Sequence, residues 1–249
     1  MPELAEHGIA RLRADNPGPY TLDGTNTWVI GRDPAWVIDP GPALDAHLDA
    51  VAAEVAARGG AGGIALTHDH EDHAEGAAAL RERLGGPPVA AARFPGDVEL
   101  RDGDEFGPLR AVAIPGHADD HLAFVAGAAG FTGDAVLGQG SVFVTSRLGE
   151  YLAALERLRG LGLALLCPGH GPPVWDPDAK LGEYLAHRAE RERMLLAALE
   201  TGARTEDELL DAAWPDAPAA LRGAAALTLR AHAGKLAAEG RLPDDVRLA

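Results

Sequence analysis

The chain has 249 residues, 47% of them hydrophobic and 24% charged, with a formal net charge of −16. That length supports a sizeable core, and the lack of any apolar run of about 18 residues excludes a helical membrane span. Residues 1–178 hold 12 Lys/Arg against 26 Asp/Glu and residues 179–249 hold 10 against 12, which weighs against broad binding to polyanions but leaves room for a local cationic site.

The N-terminal stretch MPELAEHGIARLRADNPGPY has neither a basic start with an apolar stretch nor an Arg/Ser-rich, acid-poor character, so a cytoplasmic protein is expected. Short apolar runs bounded by Gly, Pro or Asp predict strands over 27–31, 35–39, 63–67, 110–114, 121–126 and 163–167. Between them, Leu44, Leu48, Val51 and Val55 recur at helical spacing, as do Tyr151, Leu155 and Leu158. The mixture predicts a layered α/β or α+β architecture. The single cysteine, Cys167, has no partner for an internal disulfide and reads as a small buried hydrophobe. After Trp175 the pattern turns helical: 176–199, 205–213 and 221–239 read as helices. The expected division is therefore a domain over 1–175 and a small helical module over 176–249.

The polarity concentrates in LTHDHEDHAEG, residues 66–76, between the strand GIALT and a helix beginning at Ala77. His68, His70, Asp72 and His73 form H-x-H-x-D-H. Imidazoles suit zinc and related divalent ions, and a carboxylate adds a hard anionic ligand. Three further candidates sit just past strand-like runs: His117 in PGH, Asp134 in TGD and His170 in PGHG.

The ordered set THDHEDH, PGH, GD and PGHG resembles the metallo-β-lactamase-fold hydrolase superfamily over roughly residues 20–175. The resemblance implies an α+β fold, a four-layer αββα sandwich with ligands on loops along one edge of two sheets. It implies one metal held by His68, His70 and His117, a second held by Asp72, His73 and His170, and Asp134 bridging them. Such a pair lowers the pKa of a shared water and stabilises developing negative charge. Zinc is the expected metal, with manganese or iron also compatible with the donors. Asp72 is the expected catalytic group that orients the attacking water. His121 either donates a proton to the leaving group, contacts substrate, or merely begins the next strand. Asp119 and Asp120 are candidates to hydrogen-bond a ligand imidazole, and Asp39 to support the metal loop. Asp69, Glu71 and Glu75 remain for solvation, helix N-terminal charge or metal steering.

TLDGTNTWVIG, PGHADDH, GDAVLGQGS and the segment after PGHG are most similar to the group around beta-lactamase-like protein 2, which implies a winged-helix-like C-terminal module. That group implies hydrolysis, with single-stranded RNA cleaved in one branch and acyl thioesters in related ones. The expected function is metal-dependent hydrolysis of an ester-type bond, in a thioester, ester or phosphodiester. An endoribonuclease would need a basic track, for which Arg188, Arg191 and Arg193 are the candidates, although Glu190 and Glu192 alternate with them. A third reading is a non-catalytic, metal-dependent DNA-binding regulator, with Arg222, Arg230 and Lys235 on its last helix. A module that walls the cleft or pairs two chains as a homodimer explains the apolar pattern there better. Glutathione thioester and β-lactam hydrolysis rank below these.

Overall fold

The computed structural model describes residues 3–93 and 97–248. Eleven strands form two sheets. In the first, β1 (Ile9–Arg13), β2 (Asn26–Ile30), β3 (Ala35–Ile38), β4 (Ala61–Ala65), β5 (Val89–Ala91) and β6 (Val98–Glu99) lie in chain order. The first three are antiparallel and the remainder add in parallel. The second runs β11 (Leu165–Pro168), β10 (Ala129–Gly133), β9 (Leu122–Ala126), β8 (Leu109–Ala113), β7 (Glu105–Phe106), with only β10 and β11 parallel.

Alternation along the strands builds the layers, because successive side chains point to opposite faces. Trp28, Ile30, Ile38, Leu122, Phe124 and Phe131 meet between the sheets, where burial also pushes the Cys167 thiol pKa up. Their neighbours Val29, Val37 and Ile64 face outward onto Leu48, Val51 and Val55 of helix α1 (Asp45–Ala57) and Leu80 of α3 (Ala77–Arg83). Val112, Ala123 and Val125 face the other way, onto Tyr151, Leu155 and Leu158 of α4 (Leu148–Gly160). The layers are thus α, β, β, α, as the resemblance implied.

Helix α5 (Pro177–Glu200) opens with Asp176 accepting the Ala179 N–H at 3.0 Å and proline at its first position. Leu181 and Tyr184 complete the core beneath α4, while Leu195, Ala198 and Leu199 join a separate core with α6 (Glu206–Ala213) and α7 (Arg222–Ala238). Helix α5 therefore serves both cores, and α7 also reaches the first through Ala231. Among the described residues, β pairing beyond Trp175 is limited to the isolated bridge Thr205↔Arg247, so a two-stranded wing is not formed there. Short strands β1, β5, β6 and β7 were not anticipated from sequence.

Candidate metal centre

All seven expected ligands gather at the same edge of the two sheets. His68 and His70 follow β4, and Asp72 and His73 lie in a single helical turn, α2 (Glu71–Ala74). His117 follows β8, Asp134 follows β10 and His170 follows β11. Three clusters with donor atoms within 4.8 Å of one another result: His68, His70 and His117; His68, His73 and Asp134; Asp72, His73 and His170. The nitrogen contacts are close: His68 Nε2 to His70 Nδ1 is 3.0 Å, His117 Nε2 to His70 Nδ1 is 3.1 Å, and His73 Nε2 to His170 Nε2 is 3.3 Å.

Four rings are oriented by oxygen acceptors at their far nitrogens. His73 Nδ1 lies 2.9 Å from Asp39 Oδ2, His117 Nδ1 3.3 Å from Phe143 O, and His170 Nδ1 3.3 Å from Gly24 O. His68 Nδ1 lies 3.0 Å from Thr67 Oγ1, whose own hydrogen is donated to Asp39 Oδ2 at 2.7 Å. Each Nδ1 is therefore the N–H donor in the neutral ring, and each Nε2 carries a lone pair aimed into the cluster. Asp134 Oδ1, buried and without a hydrogen-bond partner, points into the same space. Converging imidazole nitrogens and carboxylate oxygens fit a divalent cation.

The electrostatics agree. Burial opposes charge on His73, yet Asp134 and Asp39 push its pKa well above the ordinary value; burial likewise opposes charge on His170, but hydrogen bonds to Asp134 and Asp72 raise it to about 9. Asp134 is held well below the carboxylate range despite burial, chiefly by His73. His68, sealed in and flanked by His73, is pushed well below the ordinary imidazole value. Without a cation, protons on His73 and His170 stand where positive charge is wanted.

Asp39 accepts from the Thr67 N–H at 2.7 Å as well as from Thr67 Oγ1 and His73, so it ties the histidine-rich loop to β3. Asp72 Oδ2 accepts from Thr25 Oγ1 at 3.1 Å and faces His170 Nε2 at 3.2 Å; among the described residues nothing hydrogen-bonds its other oxygen. His121 Nε2 accepts the Asp134 backbone N–H at 3.1 Å, and its ring stacks on His68 at 4.6 Å between centroids. Its Nδ1 is buried and unpartnered. Asp119 instead accepts from Ser146 Oγ at 2.8 Å; among the described residues neither it nor Asp120 hydrogen-bonds an imidazole. Glu75 accepts the Ala43 N–H at 3.0 Å, a structural bond rather than a steering charge.

Sequence reasoning missed Thr25 and Asn26. Asn26 Nδ2 donates to Pro168 O and Gly171 O, both at 2.9 Å, and so anchors the loop that presents His170. Their signal was the polar triplet TNT entering an apolar strand, which is buried throughout.

The nominated basic groups form no open track. Arg188 is buried, Arg191 pairs with Asp216 at 2.7 Å and Arg193 with Glu190 at 2.6 Å. Arg222 pairs with Asp207 and Asp211, Arg230 with Glu206, and Lys235 with Glu192 and Glu239. No helix among the described residues is long and apolar enough to cross a membrane.

No family model matches the chain. It is 35% identical over 213 residues to lactamase-like protein adaB of Aspergillus niger, covering 80% of this chain and 67% of that protein. It is 28% identical over 261 residues to the beta-lactamase-like protein 2 homolog of Caenorhabditis elegans, covering 96% and 87%. It is 36% identical over 205 residues to an atrochrysone carboxyl ACP thioesterase of Aspergillus chevalieri, covering 77% and 65%. Among solved structures, a metallo-beta-lactamase family protein of Thermus thermophilus superimposes with a TM-score of 0.72 at 26% identity over 94% of both chains. TTHA1623, solved in a di-iron-bound form, superimposes with a TM-score of 0.52 at 26% identity, covering 67% of this chain and 93% of that one.

Proposed function

The chain belongs to the metallo-β-lactamase superfamily, and on that premise we propose that it is a dinuclear metal-dependent hydrolase of acyl thioesters or esters. The carrying observation is the convergence of four imidazole Nε2 atoms whose rings are oriented by oxygens at Nδ1. In this reading His68, His70 and His117 hold one ion, Asp72, His73 and His170 the other, and Asp134 lies between them. Zinc is the ion we assign, from the imidazole and carboxylate donors; metal analysis separates it from iron or manganese. When bound, the pair supplies an acidified water and polarisation of the substrate oxygen.

The chain's own groups supply the orientation. Asp72, held through Oδ2 by Thr25, has its other oxygen available to accept a hydrogen bond from the attacking water. For His121, the bond from the Asp134 N–H favours positioning of that carboxylate over contact with substrate. Residues 1–175 are assigned to catalysis and 176–249 to a helical module braced against it. The thioesterase relative and the pairing of the arginines support small acyl substrates over a nucleic acid backbone.

A panel of acyl thioesters, simple esters, phosphodiesters and single-stranded RNA, run on metal-loaded protein, tests the reading. Acyl substrates are expected to turn over with about two divalent ions per chain. Asp72→Ala should cut that rate at least about a hundredfold without loss of fold, the scale of losing one oriented catalytic group. Full activity in metal-free protein would overturn the proposal.

A further inference from the structure

Arg188 is a charge without a counter-charge. It is 2% exposed, yet among the described residues no carboxylate pairs with it. Its guanidinium donates to Val142 O, reaches Ser141 Oγ at 3.4 Å and lies 6.0 Å from the Tyr151 ring centroid. The Nε has no partner. Buried charges are ordinarily paired, because taking an ion out of water is costly.

Beside it lies a pocket of about 160 Å³, partly open to solvent and lined by segment 141–143, α5 and the C-terminal helices, with Arg188, Arg191, Asp216, Trp214 and Thr228 on its wall. Thr228 is 1% exposed and its Oγ1 is also unpartnered. One turn along α7, His232 is fully buried against Trp214, ring centroids 5.6 Å apart, with both ring nitrogens unpartnered. Two of the seven buried unpartnered side-chain atoms among the described residues, Arg188 Nε and Thr228 Oγ1, thus belong to residues lining this pocket, and two more to His232 behind it. Arg191 is already matched by Asp216, so the unbalanced charge is Arg188. At roughly 30 Å³ per water the cavity admits several waters or one small oxyanion. Water would satisfy the donors but leave the charge; an anion does both.

We propose that this cavity binds a tetrahedral oxyanion, held by Arg188 and Thr228 between the catalytic sandwich and the C-terminal helices. The site is separate from the metal centre, none of whose seven residues lines it. It touches Val142, next to Phe143, whose carbonyl orients His117. Free phosphate or sulfate and the head group of a phosphomonoester share this chemistry.

Calorimetric titration of the full chain with inorganic phosphate tests the site, before and after chelation of metal, with sulfate and phenyl phosphate as parallel arms. One saturable phosphate site that persists after chelation is expected, with sulfate competing. Phenyl phosphate binding equally well identifies a monoester head group; its exclusion identifies the free ion. Arg188→Met should weaken phosphate at least tenfold, and Thr228→Val, which keeps the side-chain shape, several-fold. Should Arg188→Met fail to fold, Thr228→Val and a tungstate-soaked crystal decide. Absence of saturable phosphate binding, its loss on chelation, its persistence unchanged in the variants, or water alone in the cavity overturns the proposal.

Discussion

Asp39 has a positive φ of 51° and accepts three hydrogen bonds, two from Thr67 and one from His73. Asparagine tolerates that backbone but offers only one acceptor oxygen, so Asp39→Asn should preserve the fold while freeing the His73 ring. Metal affinity is expected to fall about 10–100-fold, measured by competition with a chromogenic chelator. His170 sets a pH dependence. Its pKa is raised to about 9 from an ordinary 6.5, so in the metal-free protein it is protonated throughout the neutral range. A cation must displace that proton, hence affinity should rise with pH up to about 9, by roughly tenfold per unit for each proton released. The same shift makes protonated His170 stabilise the metal-free fold fully below pH 6.5 and progressively less as pH rises to about 9. Melting of chelated protein across that window is the check.

The strand ends decide whether the candidate ligands can meet. Gly169, between β11 and His170, lies so close to the opposite loop that an added Cβ would sit 2.5 Å from both Asp134 Oδ1 and His73 Cε1. Gly169→Ala should therefore abolish metal loading, measured by elemental analysis, even where circular dichroism is unchanged. The long helices, HxHxDH and the strand β4 that leads into it were legible because periodicity and terminal residues act locally. Strands β5, β6 and β7 were not, since runs of two or three residues carry no periodicity and form only by pairing with a neighbour. Helix α6 is local in the opposite sense: Thr205 and Glu208 make a reciprocal capping box, and Thr205→Ala should cost about 1 kcal/mol in thermal unfolding of the C-terminal core.

At the scale of the whole molecule, α5 is the joint. Leu181 and Tyr184 are at most 1% exposed beneath α4, and full burial of such side chains is worth about 1.5–3 kcal/mol each. Truncation after Trp175 should thus unfold the sandwich, whereas truncation after Glu200 should leave it folded and able to load metal, as read by near-ultraviolet circular dichroism and metal content. The sequence alone determined the candidate ligands' residue types, their order along the chain and the alternation that makes two sheets, because spacing and period are properties of neighbours. It could not reveal that Thr25 and Asn26 hold the site, that Asp119 binds Ser146 rather than an imidazole, or that Arg188 lies buried. Those depend on groups tens of residues apart, and on which acceptor or which empty volume reaches a side chain first once the layers close.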